Sequence, residues 1–145
     1  MSESYAIQQF RKALPQDVWF YKIPDGKTVS PTGEVTTQKK PFDVLMCING
    51  YSIAVEFKYQ KGGKTFNLDS RLEPHQRTSL LAHRKSRGYS CVILAHKPTG
   101  KRNLEWYMIE AIDGSVELDD GVSMEGVYDV LLKRVPLWML ETLDL

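Results

Sequence analysis

Cysteine is scarce: Cys47 and Cys91 are the only two in 145 residues. Each lies inside an apolar, strand-like run, where a free thiol behaves as a small buried hydrophobe. Two isolated cysteines without ligand spacing argue against zinc, and a cytoplasmic, intracellular setting is expected. No apolar run approaches the ~18 residues that a spanning helix needs, so no membrane partner is expected. The opening Met1-Ser2-Glu3-Ser4 has neither a basic segment nor an apolar one, and no secretory signal is read there. Internal repeats and low-complexity tracts are absent. The length is that of one domain, 1–145, large enough to bury a real core.

Net charge is also nearly absent, at +1, but its distribution is uneven. Lys58, Lys61, Lys64, Arg71, Arg77, Arg84, Lys85, Arg87, Lys97, Lys101 and Arg102 are opposed between 58 and 102 only by Asp69 and Glu73. Beyond Asn103 the acids dominate, against Lys133 and Arg134 alone. A basic half of this kind is the footprint expected for a phosphate backbone, although helix 73–87 would carry a solvated basic face in any case.

The chain reads as alternating elements. Residues 3–14 form an amphipathic helix with Glu3, Ile7, Phe10 and Leu14 on one face, stopped by Pro15. Residues 18–23 are a strand by their aromatic and β-branched content. Residues 24–40 are a long polar connection, a length that is usually functional or disordered. Residues 59–71 are a polar loop, and 73–87 a helix with Pro74 in its first turn and Gly88 just past its end. Strands at 90–95 and 104–109 follow, then an acidic, glycine-punctuated stretch over 111–123, a helical stretch around 127–132 and the apolar segment from 137. This order predicts a mixed α/β sandwich.

The chemistry concentrates at residues 41–58. Asn49-Gly50 between two apolar runs is the strongest short-range hairpin signal, because a type I′ turn needs positive φ at both central residues. With those two as the loop, Ile48 faces Tyr51, Val44 faces Val55 and Asp43 faces Glu56, the two carboxylates roughly 4.5–5.5 Å apart at Cβ. Lys58 projects from the same face as Glu56, and Phe42, Val44, Met46, Ile53, Val55 and Phe57 from the other, core-facing side. Two directly opposed acids repel each other. A divalent cation would offset that repulsion; magnesium, with manganese as its substitute, favours carboxylates, water and substrate phosphate.

Asp43 with Glu56-Phe57-Lys58 resembles the signature of the PD-(D/E)xK nucleases, Pro41-Phe42-Asp43 being a slightly expanded first element. The acid-to-glutamate spacing, Lys64-Thr65-Phe66-Asn67-Leu68, Leu72-Glu73-Pro74-His75-Gln76 and the Cys91-Val92-Ile93-Leu94 strand are similar to the Holliday junction resolvases, especially the bacterial RecU type. The similarity spans about residues 41–96. It implies a restriction-endonuclease-like mixed β-sheet flanked by helices, which agrees with the pattern of elements.

The resemblance also implies roles. Asp43, Glu56 and the Phe57 carbonyl would hold the metal, and Lys58 would orient or deprotonate a water or neutralise transition-state charge. Gln76 would contact the attacking water or a DNA phosphate, and His75 lies in the same helical first turn. An acid on the first helix often completes such sites, and Glu3 is the candidate, with Tyr5, Gln8 or Gln9 as alternatives in register. Lys22 resembles a basic position near the active centre of archaeal resolvases. Lys39, Lys40, Lys61, Lys64, Arg71, Arg77, Lys85 and Arg87 are further candidate phosphate contacts.

The leading expectation is a magnesium-dependent DNA endonuclease cutting four-way or otherwise branched DNA as a homodimer, since two symmetric nicks need two sites. Val135, Leu137, Trp138, Met139, Leu140 and Leu143 would serve as the interface or cover the sheet. Residues 24–40 depart most from the resolvase pattern. A restriction-like or repair nuclease on duplex or flapped DNA is the alternative, and a non-catalytic nucleic-acid-binding module the third. The compact plan would suit a phage or mobile element acting in DNA recombination or repair.

Overall fold

The computed structural model describes residues 2–142, apart from the side chains of 27, 28, 37 and 38. Its frame is a five-stranded mixed sheet formed by β1 (Trp19–Lys22), β4 (Val44–Ile48), β5 (Tyr51–Lys61), β7 (Tyr89–Lys97) and β8 (Glu105–Ile109), side by side in that order. Only β5 and β7 run parallel, and the other neighbours are antiparallel. A parallel pair needs a long crossover. Here α2 (Leu68–Arg71) and α3 (Pro74–Lys85) supply it. The expected mixed sheet flanked by helices is the architecture found.

Two apolar layers follow from strand alternation. Val44, Met46, Ile53, Val55, Phe57, Cys91 and Ile93 face α1 (Glu3–Ala13) and α4 (Met124–Thr142), where Phe10 meets Phe57 edge-on with ring centroids 5.5 Å apart. Ala54, Val92 and Leu94 face the opposite way, toward Leu80 of α3 and Phe66, Leu68 and Leu72 before it. The central strands are therefore buried on both sides, which explains why β7 reads as an unbroken apolar run rather than an alternating one.

Several sequence expectations are corrected. Residues 24–40 are not an irregular connection, because β2 (Gly26–Val29) and β3 (Val35–Gln38) pair antiparallel as a hairpin arm. The Pro31-Thr32-Gly33 punctuation is its turn, closed by Ser30 and Glu34, and the flanking threonines and valines are good strand formers. Residues 59–71 are not a loop either. β5 runs on to Lys61 because β7 pairs with it as far as Lys97, and β6 (Thr65–Asn67) pairs with β9 (Ser115–Glu117) from the acidic stretch. Tertiary pairing overrides the polar content of these short segments. The two C-terminal pieces are one helix, α4, with Pro136 inside it. Proline costs that helix a backbone hydrogen bond, while Val127, Leu131 and Val135 anchor it on the sheet.

The apolar C-terminal segment mainly covers the sheet. Val135 is buried and Trp138 and Met139 pack against the core, leaving Leu137 and Leu140 exposed. Leu143 lies outside the described residues. Cys91 is buried as expected, whereas Cys47 is only half-buried, because its face of β4 lies beyond the layer covered by α3.

Candidate active site

The hairpin forms in the expected register. Asn49 and Gly50 take φ values of 51° and 82°, and Ile48 pairs with Tyr51 and Val44 with Val55. One residue further the ladder breaks. Asp43 donates its N–H to the Val55 carbonyl, its own carbonyl accepts from Ile23, and its Oδ2 accepts the Phe57 N–H at 2.9 Å. Asp43 and Glu56 are thus not a regular cross-strand pair; the Asp43 carboxylate has replaced a main-chain acceptor. The same break turns Phe42 away from the face predicted for it, and its ring packs with the α3-side cluster, 6.1 Å from the His83 ring.

Glu56 is 2% exposed. Its Oε2 accepts from Gln76 Nε2 at 3.0 Å and lies 3.5 Å from Lys58 Nζ. Its Oε1 is buried with no hydrogen-bond partner. Burial first, and then the neighbouring Asp43 charge, push this carboxyl up to about 8, with Lys58 acting in the opposite direction. A buried, half-satisfied carboxylate beside a second one is costly as an isolated anion. Lys58 is also buried, and its Nζ lies 3.4 Å from Gln76 Oε1.

Gln76 fixes Glu56 and Lys58 from α3. Its Oε1 accepts the Glu73 N–H at 3.0 Å, tying the helix start, while its Nε2 reaches Glu56. The capping role and the contact with the acidic site are therefore carried by one side chain, at the N3 position that a capping box uses. His75 points instead to Glu73, with Nδ1 3.2 Å from Oε2.

The remaining candidates divide sharply. Lys40 is not a free surface cation: its Nζ sits 2.9 Å from Asp43 Oδ1 and 3.4 Å from Asp25 Oδ1. Against the lowering effect of burial, these acids hold its ammonium above the usual lysine range. Its three-residue spacing from Asp43 was a legible signal, although Asp25 comes from the other root of the β2–β3 arm. Arg71 donates to Tyr59 O and Gln60 Oε1 and lies over the Phe66 ring. Arg77 donates to Ile112 O and Leu68 O. Both guanidiniums are committed to acceptors within the chain, Arg71 on β5 and Arg77 on α2 and Ile112, which charge counting along the sequence could not reveal. Lys22, Lys39, Lys61, Lys64, Lys85 and Arg87 are exposed. Glu3 is exposed at the start of α1, and no group of three or more His, Cys, Asp or Glu side chains able to hold an ion occurs among the described residues. Glu3 therefore does not join Asp43 and Glu56.

The donor set nevertheless fits a hard divalent cation. It offers two carboxylates with an orphaned oxygen, and hard cations complete their shells with water and substrate oxygens. Asp43 and Glu56 are the residues that would hold it.

No family model matches the sequence, and no curated protein matches it. Among solved structures, the chain is similar to the Holliday junction resolvase Hjc of Archaeoglobus fulgidus, with 15% identity, a TM-score of 0.47, and coverage of 87% of this chain and 99% of that one. It is also similar to the protein SSO0001, with 17% identity, a TM-score of 0.33, and coverage of 93% of this chain and 58% of that one.

Proposed function

We propose that this chain is a metal-dependent endodeoxyribonuclease, hydrolysing phosphodiester bonds in branched DNA. The observation that carries the reading is the convergence of Lys58 and Gln76 on the buried Glu56 carboxylate, with Asp43 beside it and Glu56 Oε1 left without a partner. A purely structural acid has no need of burial, and burying one with an unpartnered oxygen is destabilising unless a proton or a cation completes it.

Magnesium bound there, by Asp43, Glu56 and the Phe57 carbonyl, would supply Lewis acidity toward the scissile phosphate. Lys58 stands beside Glu56 to orient a water and to offset charge building on the non-bridging phosphate oxygens. Gln76 holds Glu56 and Lys58 in register and keeps the α3 N-terminus at the site. The Phe57 N–H bond to Asp43 fixes the backbone between the acid and the lysine. Exposed Lys22, Lys39, Lys61, Lys64, Lys85 and Arg87 provide positive charge for the DNA backbone.

In its finer form the reading is a junction resolvase working as a homodimer, because resolution requires paired nicks. The deciding experiment is cleavage of a four-way junction and of its linear arms, with magnesium and with chelator. Junction cuts that vanish with chelator and with Asp43→Asn, while binding persists, support it. Unchanged nicking by pure Asp43→Asn protein sinks the enzyme reading, and equal cutting of the linear arms sinks the junction preference.

A further inference from the structure

Edge strand β1 carries two aromatic side chains that the core does not use. Trp19 is 52% exposed and Tyr21 48% exposed. Their ring centroids lie 5.9 Å apart and their planes differ by 17°. Between them, Phe20 packs into the layer under α1 and α4, with Arg11 over its ring. Side chains alternate along a strand, so Trp19 and Tyr21 project from the opposite face, the one that carries Glu56 and Lys58.

On that face α3 packs mainly against β5 and β7, and the two rings stand half-exposed on the edge strand. Tyr21 pairs with Leu45, two residues along β4 from Asp43, and the next backbone bond outward joins Ile23 to Asp43. The rings therefore border the candidate active site across one strand.

Resting on the nuclease reading, we propose that Trp19 and Tyr21 form a stacking platform for unpaired nucleobases flanking the scissile phosphate. Flat, near-parallel aromatic rings are the means by which proteins hold single-stranded bases without reading sequence. A continuous duplex keeps its base faces stacked, whereas a gap or flap frees them and an opened branch point interrupts the stack, so the platform would select DNA whose stack is broken at this site. The occupant is nucleic acid rather than protein: two half-exposed side chains fall far short of the ~800 Å² per partner that a stable protein interface buries.

The test uses full-length protein with chelator, so that binding is read without cleavage. Tryptophan fluorescence is titrated with a four-way junction, with a gapped duplex and with the blunt duplex of the same sequence. Quenching by the junction and gapped DNA that disappears in Trp19→Leu is expected, the other two tryptophans being buried or packed against the core. Trp19→Ala with Tyr21→Ala should weaken binding to the junction and the gapped DNA by about tenfold per ring and leave blunt-duplex binding unchanged. Trp19→Phe with Tyr21→Phe should retain most of it, which separates stacking from a folding defect. Equal loss on all DNAs, an absent quench, or a change of sedimentation state showing that the rings join two copies would each overturn the platform. Metal-dependent cleavage that survives the double alanine variant with unchanged junction affinity rejects the platform alone. Stacking without any cleavage rejects the nuclease reading alone.

Discussion

Glu56→Gln is the substitution that weighs most directly on the proposed site. In the folded chain the Glu56 carboxyl is raised from about 4.5 to about 8, chiefly by burial and then by Asp43. The folded state consequently binds a proton more tightly than the unfolded one over that interval. The stabilisation is fully present below about 4.5 and is lost as pH rises toward about 8. At 1.36 kcal/mol for each pH unit, the loss between those limits reaches about 5 kcal/mol as an upper bound. For a chain of this length that corresponds to a fall of about 10 °C or more in Tm. Glutamine keeps the shape, can accept from Gln76 and carries no charge, so its melting temperature should stay flat over the same range. The assay is thermal unfolding followed by circular dichroism from pH 5 to 9 in chelator, wild type beside variant. Magnesium should recover the wild type at pH 8 and do nothing for Glu56→Gln, since a ligand that binds the folded state stabilises it by mass action. Parallel pH profiles for the two proteins would refute the claim that a buried, uncompensated anion sits at this position.

Further outcomes follow from neighbouring residues. Lys58→Met should lower single-turnover cleavage by about a hundredfold or more while junction binding, measured by gel shift, stays close to wild type. Lys40→Met removes the ammonium that competes for Asp43, so calorimetric titration with manganese should show tighter binding, and weaker binding would contradict that competition. Gly88→Ala should destabilise the protein by about 1–3 kcal/mol in urea unfolding, because an added Cβ would stand 2.1 Å from the His83 ring. That ring holds Ser52 at 2.9 Å, and a neutral result would mean that it moves freely.

The Gly88 and Arg87 pair shows how local signals mislead in detail while holding in outline. A glycine just past the helix is the usual mark of a left-handed end. Here Arg87 takes the positive φ of 70°, and Gly88 is small because His83 lies against it. The Asn49-Gly50 turn worked the other way. Its conformational demand is purely local, so the register from Ile48–Tyr51 to Val44–Val55 was legible without any tertiary information.

What the sequence determined by itself was therefore whatever depends on neighbours along the chain. It set the turn, the alternation that puts Glu56 and Lys58 on one face, and the proline-led start of α3. The tertiary structure decided what depends on partners distant in sequence. It drew Asp43 out of the ladder to accept from Phe57, placed Gln76 against Glu56, and laid Lys40 on Asp43. It bound Arg71 and Arg77 to backbone carbonyls instead of leaving them to solvent. Hydrogen-bond demand and burial are settled only when elements pack, and no periodicity in a single chain encodes which carbonyl a guanidinium will find.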